Sequence, residues 1–554
     1  MAYNIADLYE HITDAVPDRI ALVDRRSRQT FAQLDAASNR IAHALAERGV
    51  GPGDHVGVYA QNSHEWIETM LGCFKIRAVP INVNFRYVRD ELSHIFNNAE
   101  LAALVYDREY APTVLEIRDT APGLKVLLHC ENPDSTIEDP AAVDAAIESL
   151  GSESFDDAVA EASDSREGLP EGRSGDDLYV LYTGGTTGLP KGVMWRQEDV
   201  YFALGQGIDA MTGERVDTEF TMAERAAAGG GGLVLLVIPP LMHGAAQWGT
   251  LGQMLQGNTI VLLPRFSARA VWELVDAESI NTMVITGDAM GRPMIEELLA
   301  NHDRYQATSL LALSSSAAVF SPTVKDQFLE RFPNLVITDS IGSSEGGFNG
   351  LRVVGKDQAQ VSAGGPTITP GSDVVLLDDD LALIPKDRVA VKGKIGRGGN
   401  IPLGYFNDEK KTAETFVVAS DGNRYAVSGD WGQWEEGGLL TLLGRGSTTI
   451  NSGGEKIHPE EVEAALKGHP AVFDCLVVGA PDERWGQTVT AIVQFRAGQE
   501  VGLTDLADHA RKVVAGYKVP RRLHVVEEIV RSPSGKPDYP WANKLVREQT
   551  PAGD

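Results

Sequence analysis

A string rich in glycine and threonine, Tyr182–Gly192, has the composition of a loop that binds phosphate. Its residues are Tyr-Thr-Gly-Gly-Thr-Thr-Gly-Leu-Pro-Lys-Gly. Glycine lets backbone N–H groups approach a phosphate closely, threonine adds hydroxyl donors, and Lys191 adds a positive charge. A Walker loop needs Gly-Lys followed by Ser or Thr at the start of a helix, whereas Lys191 lies between Pro190 and Gly192. The alternative interpretation is a flexible glycine turn, and the length of the string favours a phosphate site of another type.

Four polar residues far apart in the chain also have side chains suited to nucleotide chemistry. Glu345 follows a predicted strand in a polar loop, where a carboxylate can hold Mg²⁺ on phosphates or simply be solvated. Asp430 could accept hydrogen bonds from ribose hydroxyls or form an Asx turn. Arg445 offers a planar guanidinium to ribose or phosphate, or to an interdomain salt bridge. Lys536 lies on a Ser-Pro-Ser-Gly turn and is either a surface lysine or a donor that stabilises developing charge.

These residues and the motifs around them occur in an order that resembles the motif order of the adenylate-forming superfamily. That superfamily includes acyl-CoA synthetases, peptide-synthetase adenylation domains and firefly luciferase. The segments that carry the resemblance are Tyr182–Gly192, Ser315–Pro322, Asp339–Glu345, Tyr425–Asp430, Gly444–Glu463 and Ser534–Lys536. Together they cover nearly the whole chain. The resemblance implies that the protein uses ATP, Mg²⁺ and coenzyme A, and that it activates a carboxylic acid.

The resemblance also implies a role for each matching residue. Those expected to bind ATP or AMP are Thr183, Gly184, Gly185, Thr186, Thr187, Gly188, Lys191, Ser316, Ala317, Asp339, Ser340, Ile341, Gly342, Ser344, Asp430, Arg445 and Lys536. Those expected to be catalytic are Lys536, Glu345 and Thr187, with Glu345 as the metal ligand. The remaining expectations are His243, Trp248 and Ser315 in the acyl pocket, Gly453 and Gly454 in the coenzyme A tunnel, and Ser447 at the hinge. For His243 the alternative is a core histidine with satisfied hydrogen bonds.

Several positions depart from the family pattern. Ile341 lies where the family has a tyrosine that stacks on adenine, and Ser344 replaces a threonine but keeps its hydroxyl. Ser447 lies where the hinge usually has Asp or Lys, and Ser315–Val319 replaces a Ser-Gly-Gly-Ala-Pro stretch. These changes leave the adenine contacts and the identity of the acid open.

Short apolar runs alternate with helical segments in the middle of the chain. The predicted strands are Leu178–Tyr182, Thr259–Leu263, Thr282–Thr286, Ser309–Leu313 and Leu335–Thr338, and the predicted helices are Ser267–Glu278, Met290–Ala300 and Pro322–Arg331. Such alternation is typical of a largely parallel sheet, in which ligands bind beyond the carboxyl ends of strands. This rule directs attention to the residues after Leu178–Tyr182 and after Leu335–Thr338.

The last hundred or so residues form a separate predicted α/β unit. Its predicted elements are the helix Pro459–Lys467, the strands Val472–Val478 and Val489–Phe495, and a helix near Thr504–Val514. We therefore expect an N-terminal AMP-binding domain at 1–446 and a mobile C-terminal domain at 447–554. The fold class implied by the resemblance is α/β, with mainly parallel α/β sheets and a distorted β-barrel in the large domain.

Composition excludes several classes of protein. The 554 residues are too many for one core, and 43% apolar with 23% charged residues is the balance of a globular chain. The net charge of −29, from 49 basic and 78 acidic residues, excludes nucleic acid as a bulk partner. Cys73, Cys130 and Cys475 lack metal or redox spacing, no secretory signal is visible, and the apolar run Leu233–Ile238 is too short to span a bilayer. We expect a cytoplasmic protein, with a homodimer left open.

The expected reaction forms acyl-AMP and then acyl-CoA, AMP and pyrophosphate. The segments Leu233–Trp248 and Leu311–Val319 are small and apolar, which favours a long-chain fatty acid or another large apolar acid. Val193–Val200 is similar to bacterial synthetases for long-chain or steroid side-chain acids. The alternatives are an acyl-AMP ligase that loads a carrier protein, or a luciferase-like or non-catalytic protein of the same fold.

Overall fold

The structure is a computed structural model that describes residues 3–87, 89–183, 189–203, 207–208, 214–316, 318, 320–355, 367–445, 448–452, 455–482, 486–532 and 535–549. The helices in these ranges are α1 Ile5–Ala15, α2 Phe31–Glu47, α3 His64–Lys75, α4 Arg89–Asn98, α5 Ala111–Ile117, α6 Pro140–Leu150, α7 Phe155–Ala160, α8 Gln197–Ala203, α9 Thr221–Ala227, α10 Gly244–Met254, α11 Ala268–Ala277, α12 Gly287–Ala300, α13 Pro322–Arg331, α14 Glu409–Thr415, α15 Pro459–Lys467, α16 Leu503–Ala510 and α17 Tyr539–Gln549.

The strands in the described ranges are mostly short. They are β1 Ile20–Val23, β2 Arg28–Thr30, β3 His55–Tyr59, β4 Val79–Asn82, β5 Leu101–Asp107, β6 Val126–Cys130, β7 Glu153–Ser154, β8 Leu178–Thr183, β9 Lys191–Arg196, β10 Val234–Val237, β11 Thr259–Leu262, β12 Thr282–Ile285, β13 Ala312–Ser316, β14 Val336–Ser343, β15 Gly347–Val354, β16 Thr367–Pro370, β17 Val374–Leu377, β18 Leu383–Ile384, β19 Lys392–Arg397, β20 Gly404–Tyr405, β21 Phe416–Val418, β22 Arg424–Ala426, β23 Asp430–Trp434, β24 Leu440–Arg445, β25 Ile450–Ser452, β26 Glu455–Ile457, β27 Val472–Asp482, β28 Gly486–Phe495 and β29 Arg522–Val525.

The chain divides into two compact units, which we describe separately. The first unit comprises Met1–Val284, Asp303–Leu310 and Asn400–Glu414, and the second comprises Ile285–His302, Leu311–Gly399 and Thr415–Asp554. Residues 446 and 447 lie outside the described ranges, so the boundary at 446/447 stays a prediction.

Parallel sheets form the framework of the first unit. One has the order β4-β3-β5-β6-β7, with every pair parallel. Apolar clusters cover both of its faces, with helices α4, α5 and α6 on one side and α2, α3 and α7 on the other. In a second sheet, β10 pairs in parallel with β11 and β12, and β1 with β11. This arrangement confirms the largely parallel sheet that the alternating pattern predicted.

Several details of the predicted elements are wrong. The helix predicted at Met290–Ala300 begins at Gly287, and the strand predicted at Leu335–Thr338 continues to Ser343. β8 belongs to a small antiparallel sheet with β9 and β20, so the glycine-threonine string connects two strands of a hairpin. The strand predicted at Ser309–Leu313 lies at β13, three residues later. Ser309 is instead in a turn, where its hydroxyl donates to the Ile280 carbonyl at 2.8 Å. Ser267 does cap helix α11, because its hydroxyl accepts from the Ala270 amide at 3.4 Å.

The second unit contains two sheets. In the first sheet, β14 pairs in parallel with β13 and antiparallel with β15, and the antiparallel order β15-β16-β24-β23-β19-β17-β18 follows. Within the described residues no pair of strands closes this sheet into the distorted barrel that we predicted. In the second sheet, β27 and β28 form a long antiparallel hairpin, and β28 also pairs with β25 and, in parallel, with β29. Helices α15 and α16 pack on one face of that sheet and α17 packs on the other.

No helix among the described residues is both long enough and apolar enough to cross a membrane. The three cysteines are free thiols with buried side chains.

Candidate active site

The hairpin β8–β9 fixes the two ends of the glycine-threonine string. Thr183 and Lys191 are the last opposed pair of its ladder, so the chain leaves and re-enters the sheet at one place. Asn82, at the end of β4, clamps the adjacent backbone: its amide donates to the Tyr182 carbonyl at 2.8 Å, and its oxygen accepts from the Tyr182 amide at 2.8 Å. Gly184, Gly185, Thr186, Thr187 and Gly188 lie outside the described residues. Their phosphate contacts stay predictions.

Lys191 is the charged residue that the hairpin presents next to this string. Its ammonium pairs with the carboxylate of Asp408, and 39% of its side chain is exposed. The hydrogen bond from Lys191 lowers the pKa of Asp408. Asp408 also accepts the Lys411 amide at 2.9 Å at the start of α14. The sequence interpretation missed Asp408, which lies 217 positions from Lys191.

Gly192 is required by the packing of the hairpin. A Cβ atom at this position would lie 2.7 Å from the ring of Tyr182 and 3.0 Å from Val180. The Tyr182 hydroxyl donates to the Asn98 side chain at 2.7 Å, which holds the ring in place. Because Gly192 has no side chain, the fixed ring of Tyr182 can pack beneath the end of the loop.

Helix α10 carries two of the residues predicted for the acyl pocket, in the same unit as the hairpin. His243 precedes its first residue, Gly244, where any Cβ would clash with Leu181 of β8. Trp248 is half-buried and meets Trp195 of β9 edge to face, with ring centroids 6.2 Å apart. The helix thus packs directly on the hairpin that presents Lys191.

Strands β13 and β14 bring together four of the residues predicted to bind nucleotide or acid. Ser315 is opposite Asp339 and Ser316 is opposite Ser340, in parallel register. The Ser315 hydroxyl is buried and accepts the Gly287 amide at 3.1 Å, so it satisfies the first turn of α12. Its contact with an acyl group stays a prediction. Ala317 lies outside the described residues.

Asp339 is a buried carboxylate with a partner from the protein. The ammonium of Lys325 pairs with it, and that ammonium also lies 5.3 Å from the centre of the Phe320 ring. Burial raises the pKa of Asp339, and the neighbouring Lys325 opposes this effect. The side chain that we predicted to contact nucleotide therefore also anchors helix α13 to β14.

Glu345 lies in the tight connection between β14 and β15, two residues after β14 ends at Ser343. The Ser343 hydroxyl accepts the Gly346 amide at 2.9 Å, which shapes this turn. A half-buried carboxylate beside serine hydroxyls supplies the hard oxygen donors that Mg²⁺ prefers, so the residues present fit that ion.

Earlier in β14, Ile341 packs against an apolar cluster that includes Ile368, and Gly342 follows it at a bulge.

Asp430 and Arg445 are opposed residues of β23 and β24. Asp430 follows Gly429, whose φ of 94° is in the left-handed region that glycine favours. The Ser428 hydroxyl donates to Asp430 Oδ2 at 2.9 Å. The register brings both residues predicted to bind ribose to one end of a strand pair.

The turn that presents Lys536 lies against helix α12 within the second unit. A Cβ at Gly535 would lie 2.9 Å from Ala289 and 3.2 Å from Thr286, so the backbone of the turn touches the start of that helix. Because the Gly287 amide donates to Ser315, the C-terminal turn and the strand β13 meet at the same helix end. The side chain of Lys536 is exposed.

Two other groups of residues predicted to be functional cannot be placed. Gly453, Gly454 and Ser447 lie outside the described residues.

The sequence interpretation also missed Asn82 and Arg531, neither of which belongs to a motif. Arg531 donates to the carbonyl of Gly535 at 3.0 Å.

A second candidate for a metal site lies at the start of α3. Ligand atoms of Asp24, His64 and Glu65 come within 4.8 Å of one another. However, Asp24 accepts from the His64 amide at 2.9 Å and from its ring at 2.6 Å, and Arg26 pairs with Glu65 at 2.5 Å. Burial lowers the pKa of His64, but the hydrogen bond to Asp24 and the negative charges of Glu65, Glu68 and Asp24 together outweigh this, so the pKa is raised. The group is therefore an ion-pair network of the protein itself.

Comparison with known sequences gives matches along nearly the whole chain. Residues 9–406 match the family described as AMP-binding enzyme, and residues 461–536 match AMP-binding enzyme C-terminal domain. The 3-oxocholest-4-en-26-oate–CoA ligase of Rhodococcus rhodochrous is 48% identical over 546 residues, covering 98% of this chain and 96% of that protein. A medium/long-chain-fatty-acid–CoA/3-oxocholest-4-en-26-oate–CoA ligase of Mycobacterium marinum is 48% identical over 556 residues, covering 100% and 98%.

Comparison with solved structures gives a match in fold. The crystal structure of the anthranilate CoA ligase AuaEII, in complex with anthranoyl-AMP, has a TM-score of 0.83 at 20% identity. The match covers 99% of this chain and 98% of that one. It confirms the predicted α/β fold class, with a large N-terminal domain and a small C-terminal domain.

Proposed function

This chain belongs to the AMP-binding enzyme family, and on that premise we propose that it is an ATP-dependent acyl-CoA synthetase. The observation that carries the proposal is 48% identity, over nearly the full length of both chains, to relatives whose names describe CoA ligases. The chain also has a chemically suitable residue at each position that the activity requires.

The reaction has two steps. A carboxylate oxygen attacks the α-phosphorus of ATP, the bond to the β-phosphate oxygen breaks, and acyl-AMP and pyrophosphate form. The thiolate of coenzyme A then attacks the acyl carbonyl, and AMP leaves with the electron pair of the broken bond. A carboxylate oxygen is a poor leaving group and AMP is a good one, so two easier steps replace one difficult step.

Each polar residue of the site has a proposed part in the first step. The amides and hydroxyls of Thr183–Gly188, together with Lys191, hold the phosphates. Asp430 and Arg445 hold the ribose, and Lys536 donates to the oxygens that become more negative as the anhydride forms. Glu345 would hold Mg²⁺, which neutralises phosphate charge when bound.

The residues proposed for the rest of the nucleotide and acid sites are small, apolar or aromatic, or carry a hydroxyl or imidazole group. Ser316, Ser340 and Gly342 on β13 and β14 border the nucleotide, as does Ser344 just after β14. Ile341 offers apolar contact in place of aromatic stacking. His243, Trp248 and Ser315 are proposed to line the acyl pocket. In the second step, Gly453 and Gly454 would admit the pantetheine arm because they lack side chains, with Ser447 as the pivot.

The proposed substrate is a large apolar acid, either a steroid side-chain acid or a medium- to long-chain fatty acid. This class agrees with the printed names of both relatives at 48% identity. The small and apolar residues of Leu233–Trp248 also favour it. An acyl-AMP ligase that loads a carrier protein remains the second candidate, because it shares the adenylation step.

The cellular setting follows from the same chemistry. We propose a cytoplasmic protein, because its three thiols are free and buried and because ATP and coenzyme A are available there. The oligomeric state to test is a homodimer, by light scattering of the purified protein.

The decisive experiment offers the protein ATP, Mg²⁺ and a panel of acids: acetate, palmitate, benzoate and 3-oxocholest-4-en-26-oate. Pyrophosphate release and acyl-thioester formation are measured with coenzyme A and, in parallel, with a phosphopantetheinylated carrier protein. We expect acyl-CoA from the large apolar acids and little from acetate. Thioester on the carrier alone would favour the second candidate, and absence of pyrophosphate release across the panel would contradict both.

A further inference from the structure

Arg531 joins the turn that presents Lys536 to the interior of the C-terminal sheet. Its guanidinium donates to the Gly535 carbonyl at 3.0 Å through one nitrogen. Its other two nitrogens donate to the two carboxylate oxygens of Asp474, at 2.6 and 2.8 Å. One planar side chain therefore binds both a turn and a carboxylate on β27, 57 residues away in sequence.

The turn also has hydrogen bonds within itself. The Gly535 amide donates to the Ser532 carbonyl at 2.8 Å, and the Ser532 amide donates to the Lys536 carbonyl at 2.8 Å. The Lys536 amide donates to the Ser532 hydroxyl at 3.0 Å. All of these bonds are internal to the turn and would move with it as a body. The hydrogen bond from Arg531 to Gly535 joins the turn to the sheet, and Gly535 also packs against Thr286 and Ala289.

The carboxylate that holds Arg531 is itself fixed. Asp474 also accepts from Lys467 of α15, at 3.0 Å, and from the Cys475 amide at 2.8 Å. Only 12% of its side chain is exposed, and the same is true of Arg531. Burial alone would raise the pKa of Asp474, but Lys467 and Arg531 hold it well below its usual range. The two charges that hold Asp474 therefore favour its ionised form.

We propose that Arg531, held by Asp474, is a positioning residue that fixes the backbone immediately before Lys536 so that the lysine ammonium meets the reacting phosphate. This inference rests on the proposed function, in which Lys536 serves adenylation. Neither Arg531 nor Asp474 reaches the reactants in this scheme. They act through the carbonyl of Gly535, one residue from the catalytic lysine.

Loss of this bond has a specific consequence. The turn would keep its internal bonds but would lose its fixed direction, and a displacement of about 1 Å can cost about 100-fold in rate. Adenylation depends on Lys536, whereas thiolysis of acyl-AMP does not. A positioning role therefore affects one half-reaction, and a general structural role would affect both.

The kinetic test uses Arg531→Met, which keeps the length of the side chain, and Arg531→Lys, which keeps its charge. Acid-dependent pyrophosphate release measures adenylation, and coenzyme A-dependent consumption of supplied acyl-AMP measures thiolysis. We expect adenylation to fall by about 10- to 100-fold in Arg531→Met and less in Arg531→Lys, with thiolysis unchanged. Arg522→Met is the matched control, because Arg522 lies in the same predicted domain and the described partners of its side chain are Asp482, at 3.6 Å, and the Pro481 carbonyl. Equal loss in both half-reactions would overturn the proposal.

A second comparison asks whether Arg531 acts through Lys536. In the Lys536→Ala background, Arg531→Met should reduce adenylation no further, because the positioned group is already missing. Multiplicative losses in the double variant would show that Arg531 acts by another route.

Hydrogen exchange separates failure of this inference from failure of the proposed function, because it needs no substrate. In Arg531→Met, the peptide that contains Gly535 and Lys536 should exchange at least several-fold faster, with a smaller change in β27 and β28, where Asp474 keeps its pairing with Lys467. Unchanged exchange in that peptide would overturn the inference even if the enzyme is an active synthetase. Faster exchange in a protein that releases no pyrophosphate would instead reject the function.

Discussion

The two lysines that we propose to contact phosphate are held in place by different structures. Lys191 is part of a strand, in register with Thr183, and its ammonium pairs with the partly exposed carboxylate of Asp408. Lys536 lies on a turn, and its backbone is held through Arg531 by the buried carboxylate of Asp474. In one region the sheet fixes the lysine directly. In the other region a buried ion pair does so.

The difference agrees with what each lysine must do in the family mechanism. A residue that holds phosphates throughout the reaction gains from attachment to a hairpin, whose hydrogen bonds form a continuous ladder. A residue needed in only one of two steps has to travel with its domain and still be positioned on arrival. A charged network of Lys467, Asp474 and Arg531 allows this, because all three residues belong to the predicted C-terminal domain and would move with it.

The largest expected effect is on stability, from Asp474→Asn. Breaking a buried ion pair costs about 3–5 kcal/mol, and here the change leaves Lys467 and Arg531 without their shared carboxylate. The folded-state pKa of Asp474 is below its unfolded value, so its stabilising effect is present above about pH 4 and is lost as the pH falls below it. Hydrogen exchange of β27 and β28 should show a loss of protection at pH 7 that shrinks towards pH 3.

Asp482→Asn is the control for that experiment, because Asp482 is the looser partner of Arg522 in the same sheet. A similar loss of exchange protection in both variants would show that the burial of Asp474 does not make its ion pairs more stabilising. The contrast between the two supports would then disappear.

The next effect is on the first half-reaction, from Lys536→Ala. Loss of one donor to a developing charge costs about 10²–10³ in rate. Adenylation, measured as acid-dependent pyrophosphate release, should fall by that factor, with thiolysis of supplied acyl-AMP largely intact. Lys544→Ala, in the exposed surface of α17, is the control. Equal losses in both half-reactions would contradict the assigned role and remove one side of the comparison.

The sequence predicted local elements well where a residue type marks a boundary. Helices α13 and α15 have the predicted bounds because each begins with proline, whose fixed φ and missing N–H suit the first helical position. The strand at Ser309–Leu313 was wrong because the apolar run from Leu310 to Leu313 fits more than one strand start. Periodicity alone does not choose between them.

The supports of the two lysines could not be predicted, since both depend on pairing between distant segments. Asp408 is 217 residues from Lys191, and Asp474 is 57 residues from Arg531. No motif contains either pair, and a charged residue in a single sequence looks the same whether it is solvated or buried. The motifs predicted which groups meet the nucleotide, and the structure identified the residues that hold two of those groups.

A smaller effect is expected from Gly192→Ala in the hairpin. The new Cβ would lie 2.7 Å from the Tyr182 ring, and overpacking of this kind costs about 1–3 kcal/mol. Thermal unfolding should show a lower Tm, and Tyr182→Leu in the same chain should recover part of the loss. Gly123→Ala is the control, because its Cβ would meet its nearest neighbour at an ordinary 3.6 Å. An unchanged Tm would mean that the hairpin tolerates distortion, contrary to the rigid support that we infer.

The smallest effect is expected from Asp408→Asn, which removes the charge beside Lys191 and keeps the acceptor for the Lys411 amide. Surface ion pairs contribute about 0–1 kcal/mol, so the ladder should keep Lys191 in place. Because Asp408 competes with phosphate for the ammonium, the KM for ATP should fall by less than about fivefold. Half-molar salt, which shortens the range of exposed charges, should reduce that difference. A tenfold or greater loss of adenylation would instead show that the ion pair positions Lys191 as Asp474 positions the turn before Lys536, and both lysines would then depend on charged supports.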